Sequence, residues 1–301
     1  MGKIKHITIP ENFDPDEDVP ILSISGGKDS TAAALAMREA GIVCRYVFAD
    51  TGWEAPQTYE HVSLLERALG IVIHRVGVPG GFKAQAVKEG ILPHGKTAWC
   101  TRELKIKPIR AYHDGVALAT RCDTVNVVGI RADESEARSK ITHEYEFSKE
   151  WGGYVWRPIL RWTVEDVLKI HHRHNIPVNP LYKLGFSRVG CAPCRNARKD
   201  EIRLWAQHFP ERIAAVREIE KAVTEERARR GLEGSATMFV LPEGPRPIDE
   251  VVRWSKTAKG GRQFMVLQSE PNDGCFRWGM CEPPAQTAET SLAHDEGIED
   301  E

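Results

Sequence analysis

Long apolar runs are missing from this chain. None of its 301 residues lies in a stretch approaching the roughly 18 that a membrane-spanning helix needs. The opening residues, Met1–Pro10, lack the apolar core of a secretory leader. A dominant charge is missing too. The formal net charge is −2, which gives no global case for nucleic acid or a membrane surface and leaves only local basic patches to consider. Cysteine is too sparse for a disulfide scaffold: seven residues in a chain of this length do not staple a small secreted fold. These absences lead us to expect a soluble, cytoplasmic protein with no membrane partner. In a reducing compartment the cysteines then point to metal or thiol chemistry. The last stretch, Pro283–Glu301, contains no aromatic residue and ends acidic, so it is expected to be a disordered tail. The hydrophobic content of 41% is ordinary for a globular protein and can fill one large domain or two small ones.

What is present is concentrated first in Ile21–Ser30. Ile21, Leu22 and Ile24 read as a short buried strand. Ser25-Gly26-Gly27 turns at once into an alanine-rich helix running to Ala40. Two glycines let backbone approach an anion closely, and the helix start offers free amides and the positive end of its dipole. Lys28 adds a cation, Ser25 and Ser30 add hydroxyls, and Asp29 is suited to hold Mg²⁺. The sum is a phosphate cradle. The spacing of a Walker A loop is absent.

Strand and helix patterns alternate through the first half. Ile42–Ala49, Ile71–Val76 and Thr124–Ile130 read as further strands. Ala55–Leu69, Lys83–Glu89 and Arg102–Tyr112 read as helices. That alternation predicts an α/β fold, a doubly wound and mostly parallel sheet with helices on both faces. Ligands in such sheets sit at the carboxyl ends of strands, where Ser25, Asp50 and Arg131 all fall. Asp50 also reads as a cap for the helix beginning near Ala55. Arg131 and Arg138 read either as a clamp on an anionic group or as ion pairs with Asp133 and Glu134. Lys105 and Lys107 extend the positive lining. His171, His172 and His174 read as exposed histidines at a helix end, with metal binding as the alternative. Leu204–Arg230 is a long amphipathic helix or helix pair broken at Pro210. Pro242–Pro247 reads as a linker and Gly260–Gln268 as a short strand.

The organisation expected is a flexible arm over 1–18, a nucleotide-binding α/β domain over 19–190, a helical cysteine-bearing region over 191–282 and the tail over 283–301. Cys191-Ala192-Pro193-Cys194 has a spacing that lets two thiolates meet one metal centre. Cys100 stands upstream, and Cys275 and Cys281 downstream. Cys44 and Cys122 read as small core residues. A [4Fe–4S] cluster, a zinc ion and a redox dithiol are all compatible with this set.

Ser25–Ser30 resembles the PP-loop signature, SGGxDS, of ATP pyrophosphatases, a superfamily with an adenine nucleotide alpha hydrolase-like fold. Asp50-Thr51-Gly52 with Pro56, Thr58 and Tyr59 is similar to a motif of phosphoadenylyl-sulfate (PAPS) reductases. So are Cys100 through Pro108, Gly129-Ile130-Arg131 with Glu134, Ser135 and Arg138, and Arg157-Pro158 through Leu181-Tyr182. The resemblance covers about residues 20–200 and implies an enzyme of sulfur metabolism. It implies ATP, adenylyl sulfate or PAPS at Ser25, Gly26, Gly27, Lys28, Asp29, Ser30, Asp50, Gly129, Arg131 and Arg138. Lys28, Asp29 and Arg131 are the expected catalytic residues there. It implies a [4Fe–4S] cluster at Cys100, Cys191 and Cys194, with the fourth ligand left to Cys275 or Cys281. Asn272-Asp273-Gly274 is a turn sequence that leaves Cys275 exposed, whereas the apolar residues of Trp278-Gly279-Met280 can cover a cluster, so Cys281 is the expected fourth ligand and Cys275 the catalytic sulfur carrier. The Glu-Cys-Gly of the reductases is absent, and adenylylating sulfurtransferases of the same superfamily are the closer analogy. Such enzymes take sulfur from a donor such as a cysteine desulfurase, or reducing equivalents from a thioredoxin-like protein, and pass sulfur to an acceptor such as nucleic acid.

Overall fold

Hydrophobic alternation builds the sheet. The computed structural model describes residues 5–94, 97–241 and 244–258. Its elements run β1 (Asp18–Ser23), α1 (Lys28–Glu39), β2 (Arg45–Asp50), α2 (Pro56–Leu69), β3 (Ile73–Gly77) and α3 (Gly81–Glu89). Then come α4 (Trp99–Thr101), a π-helical turn over Arg102–Ile106, α5 (Lys107–Thr120) and β4 (Asp123–Val128). The short α6 (Glu136–Ser139), the hairpin β5 (Tyr145–Ser148) and β6 (Gly153–Trp156), and α7 (Val164–Arg173) follow. The six strands lie in the order β3-β2-β1-β4-β6-β5. All neighbours are parallel except β5 and β6. This is the α/β architecture that the alternation implies.

Side chains leave a strand on alternate faces, and β1 shows the consequence. Leu22 sits in register with Tyr46 of β2 and Val127 of β4. It packs into a core filled by the alanines and leucine of α1, by Val62 and Leu65 of α2 and by Val167 and Ile170 of α7. Its neighbour Ile21 faces the other way and meets Val47 with Val116, Ile109 and Tyr112 of α5. Helices therefore cover both faces. The strand order reverses between β1 and β4, so the crevice for a ligand opens at the carboxyl ends of those two strands.

A second core lies among α8 (Lys199–His208), α9 (Pro210–Arg229) and α10 (Ile248–Ser255). It draws on residues from earlier in the chain: Trp53, Phe82 and Trp99 stack in series at centroid distances of 5.0 and 5.5 Å. Phe186 meets Trp205 at 4.4 Å. The helical region thus shares its core with the loop after β2 and with α3 and α4. Pro210 begins α9 at a position where a missing amide hydrogen costs nothing.

Three expectations need correction. Phe13, within the stretch read as a loose arm, is buried and packs 5.1 Å from the Trp156 ring. The linker over 242–247 contains a strand, because β8 (Gly244–Arg246) pairs antiparallel with β7 (Phe239–Leu241). His171 is buried, not exposed. The short strand at Gly260–Gln268, Cys275, Cys281 and the acidic tail lie outside the described residues.

Candidate active site

Backbone geometry makes the loop. Gly26 adopts φ +73°, in the left-handed region, and a Cβ there would lie 2.9 Å from the Thr58 methyl group. Gly27 precedes the first residue of α1 in extended conformation, with Lys28 leading the helix. The turn is tied internally. Ser25 N donates to Ser30 Oγ at 3.1 Å, and the Ser30 and Thr31 hydroxyls each donate to Gly27 O at 3.1 Å. It is also tied from a segment more than 150 residues further along the chain. Asn179 Nδ2 donates to Gly26 O at 3.1 Å, and Lys28 N donates to the Tyr182 hydroxyl at 3.3 Å. The Lys28 ammonium stands 5.3 Å from the centre of the Tyr182 ring. His171 Nε2 lies 2.8 Å from Lys28 O, and its Nδ1 lies 3.0 Å from Ile176 O.

Asp29 lies at the centre of the charge arrangement. Its two oxygens accept from Lys28 Nζ at 2.8 Å and from Arg131 Nε at 2.6 Å. Arg131, 3% exposed, also donates to Asp133 and to Trp162 O. Burial pushes the Asp29 carboxyl up, but Lys28 and Arg131 outweigh it and hold the group below the usual carboxylate range. Arg131 comes from the end of β4, where Gly129 allows it to approach: a Cβ on Gly129 would fall 2.6 Å from Ser30 Cα. Arg138 does not join this cluster. It pairs with Glu134, whose Oε2 also accepts from Arg131 N at 2.7 Å, so the two arginines are linked only through that carboxylate. Arg131 is extended, with φ −125°, so the two do not share a helical face. Asp50 accepts from Gly52 N at 2.9 Å and from the Tyr59 hydroxyl at 2.7 Å. It shapes the turn after β2, and its side chain does not cap α2.

A second group of side chains borders the Cys191–Cys194 turn. A cavity of about 70 Å³ is lined there by Lys105, Arg188, Cys191, Cys194, Glu201 and Trp205, among others. Lys105 shares this cavity with two of the thiols, Cys191 and Cys194. Cys191 first, then Glu54, Cys194 and Cys100, raise the affinity of its amine for a proton against the opposing effect of burial. Burial pushes the Cys191 thiol up to about 11, against the pull of Lys105. Glu54, 4% exposed, accepts from Thr51 Oγ1 at 2.7 Å and lies 3.9 Å from Cys191 Sγ. Cys194 Sγ accepts from Arg188 Nη2 at 3.6 Å and from Asn196 N at 3.5 Å. Arg212 of α9 locks the two loops together. It donates to Ala192 O at 2.8 Å and to Trp53 O at 3.0 Å, and it lies over the Trp53 ring at 4.5 Å.

Thiols gathered about one ammonium are a donor set suited to a centre that takes thiolates. Among the described residues, however, no three Cys, His, Asp or Glu side chains converge closely enough to hold one metal ion. The described part alone does not complete a metal centre. Lys107 is exposed and pairs with Glu103, so of these two lysines it is Lys105 that lines the thiol pocket. Cys44 packs against the sheet core, and burial pushes its thiol up to about 12.

Several residues stand out that the sequence had not assigned to the site: Tyr182, Asn179, Glu54 and Arg212, and His171, expected instead at an exposed helix end. Asn179 and Tyr182 lie in a stretch already similar to a reductase motif, which is a usable signal. Glu54 sits beside Asp50-Thr51-Gly52. For Arg212 the local sequence carries none.

A family model described as the phosphoadenosine phosphosulfate reductase domain matches residues 19–197. The chain is 32% identical over 312 residues to an uncharacterised 37.8 kDa protein of Escherichia phage 186, covering 84% of this chain and 92% of that one. It is 31% identical over 193 residues to an uncharacterised protein of Methanocaldococcus jannaschii, covering 63% of this chain and 39% of that protein. It is 28% identical over 178 residues to an adenosine 5'-phosphosulfate reductase of Salinibacter ruber, covering 55% of this chain and 68% of that one. Among solved structures, the phosphoadenylyl-sulfate reductase of Candida auris in a phosphate complex is similar, with a TM-score of 0.44, 18% identity and coverage of 62% of this chain and 98% of that one.

Proposed function

This chain belongs, through residues 19–197, to the phosphoadenosine phosphosulfate reductase domain family, and on that ground we propose that it is an enzyme of sulfur metabolism that binds an adenine nucleotide at Ser25–Ser30. Its chemistry, in this reading, is ATP-dependent. An acceptor oxygen attacks the α-phosphorus, pyrophosphate leaves, and a sulfur nucleophile then displaces AMP from the activated acceptor. The observation that carries the reading is the meeting of Lys28, Asp29 and Arg131, from two adjacent strand ends, beside a glycine turn at the start of a helix. Lys28 and Arg131 supply positive charge to the phosphates, and preorganised charge of this kind is the larger part of such catalysis. Asp29 serves Mg²⁺ carried by the nucleotide. Asp50 shapes the ribose side through the turn after β2.

Cys100, Cys191, Cys194 and Cys281 are the ligands proposed for a [4Fe–4S] cluster, with zinc the alternative, and Cys275 is the proposed sulfur carrier. A bound cluster supplies a redox-active, sulfur-binding centre next to Lys105. Sulfur from a desulfurase or thioredoxin-like donor, and an acceptor such as nucleic acid, complete the reaction. The second reading, reduction of adenylyl sulfate or PAPS, is favoured by the similarity to reductases of that name.

Purified protein incubated with ATP, Mg²⁺, a sulfide source and tRNA or DNA tests the first reading. Pyrophosphate release and a sulfur-for-oxygen mass shift in the nucleic acid are expected. Release of sulfite from adenylyl sulfate with reduced thioredoxin, and no pyrophosphate from ATP, would establish the reductase instead. Turnover of neither substrate points to a nucleotide or cluster sensor. Iron quantification on anaerobically purified protein tests the centre: Cys281→Ser loses iron, while Cys275→Ser keeps iron and loses sulfur transfer. A stoichiometric zinc ion in colourless protein overturns the cluster.

A further inference from the structure

The Cys191–Cys194 turn is bonded to the turn that follows β2. Glu54 and Cys191 form an isolated antiparallel bridge. Ala192 N donates to Trp53 O at 2.8 Å, and the Trp53 indole donates to Pro193 O at 3.0 Å. The Glu54 side chain, 4% exposed, stands at this join. Its Oε1 accepts from the Thr51 hydroxyl at 2.7 Å and lies 3.9 Å from Cys191 Sγ. Its Oε2 accepts from Thr51 N at 3.2 Å and from Trp53 N at 3.3 Å. One more group reaches it. The Tyr59 hydroxyl donates to Asp50 Oδ1 at 2.7 Å and lies 3.2 Å from Glu54 Oε2. A phenol has one proton to give, and two carboxylates compete for it. Asp50 is only partly buried, at the carboxyl end of β2, where ligands of such sheets sit. Glu54 is on the buried side. The hydroxyl therefore has two arrangements, one on Asp50, as it stands, and one on Glu54.

We propose that Glu54 is a positioning residue for the thiol turn and that Tyr59 couples it to the occupancy of Asp50. The inference rests on the nucleotide reading of the site and goes further, to how that site governs the thiols. A ribose hydroxyl that donates to Asp50 takes the acceptor Tyr59 is using, and the Tyr59 hydroxyl turns to Glu54. Glu54 then holds one more charge-assisted hydrogen bond, and such bonds are about twice as strong as neutral ones. The carboxylate is fixed more firmly against Thr51 and Trp53, and the join to the Cys191–Cys194 turn tightens with it. Two distinct sites are linked in this way by one element with two discrete arrangements. The thiols are held most firmly when the nucleotide is seated.

Hydrogen exchange resolved at single amides, on the full chain with and without saturating ATP and Mg²⁺, tests the proposal in the wild type, Tyr59→Phe and Glu54→Gln. Ala192 N is the reporter, because its bond to Trp53 O is part of the join. With nucleotide, wild type is expected to exchange about tenfold more slowly at Ala192, the scale of one hydrogen bond to a charged group. Tyr59→Phe keeps the ring that packs edge-on against Phe48 and loses only the hydroxyl. It is expected to bind nucleotide, seen as protection of the Gly27 and Lys28 amides, while Ala192 no longer responds. Glu54→Gln is expected to show the same loss of response. A wild type whose Gly27 and Lys28 amides respond to nucleotide while Ala192 does not overturns the proposal, whether or not either variant folds. So does a variant that exchanges faster at Ala192 yet keeps the full response to nucleotide, since Glu54 would then be merely structural. If no amide of the wild type responds to nucleotide, the loop reading falls, and the proposal with it.

Discussion

At position 129 a missing side chain is what matters. Gly129 was expected among the nucleotide-binding residues, and its geometry gives it a packing task that serves the same site. A Cβ there would meet Ser30 Cα at 2.6 Å, Asp29 O at 2.7 Å and Ser30 N at 2.9 Å. All three are backbone atoms of the first turn of α1 and cannot swing away. Gly129→Ala is therefore expected to destabilise the protein by about 1–3 kcal/mol and to weaken nucleotide binding. Gly115→Ala, inside α5 with nothing within 4 Å of the new methyl group, is expected to be neutral or to stabilise by up to ~1 kcal/mol. Urea denaturation of the pair checks this, and equal midpoints would remove the packing argument. Residue by residue, the loop was legible where its chemistry is local: glycines, lysine, aspartate and hydroxyls stand side by side. The partner of Asp29 was not, because Arg131 lies 102 residues away and also fits the plain reading of an ion pair with Asp133. It makes that pair too.

Elements fared unevenly for a physical reason. β1, β2 and β4 are internal strands, and their near-continuous apolar runs announce them. β5 and β6 have four residues each and gain their core from aromatic contacts across the hairpin, such as Tyr145 stacked on Tyr154 at 5.0 Å. No periodic pattern fits in so short a span, and neither strand was foreseen. Helix breaks followed the rules, as at Pro210. The coupling between elements was invisible. Arg212 on α9 bonds the carbonyls of Ala192 and Trp53, residues 20 and 159 positions away. Hydrogen bonds to a charged group are worth about 1.5–3 kcal/mol, and these two hold the Cys191–Cys194 turn against the loop after β2. Arg212→Ala is expected to speed amide hydrogen exchange in both loops while β1 and β4 keep their protection. Unchanged exchange near Ala192 would show that the turn holds itself.

On the scale of the whole molecule, the two faces of the sheet carry a shared acid sensitivity. His61 of α2 and His113 of α5 are each 3% exposed, and neither Nε2 has a hydrogen-bond partner. Burial is the leading cause that pushes both imidazoles down, to about 4. Their unfolded values lie near 6.5, so between about pH 6.5 and 4 the unfolded chain binds protons that the native protein refuses. Stability then falls as pH falls through that window. At pH 4.5 each histidine contributes a loss of roughly 2–3 kcal/mol relative to neutral pH. Glu201 and Glu220, buried carboxyls held above their usual range, act in the opposite sense and blunt the wild-type curve. A comparison that leaves them unchanged isolates the histidines. His61→Gln with His113→Gln should lose less stability than wild type between pH 7.5 and 4.5, by several kcal/mol in denaturant titrations at each pH. Parallel curves for the two proteins would mean that neither imidazole is kept neutral by the fold. In that case the two faces of the sheet would be held open to protons at positions where the packing leaves almost no exposed surface.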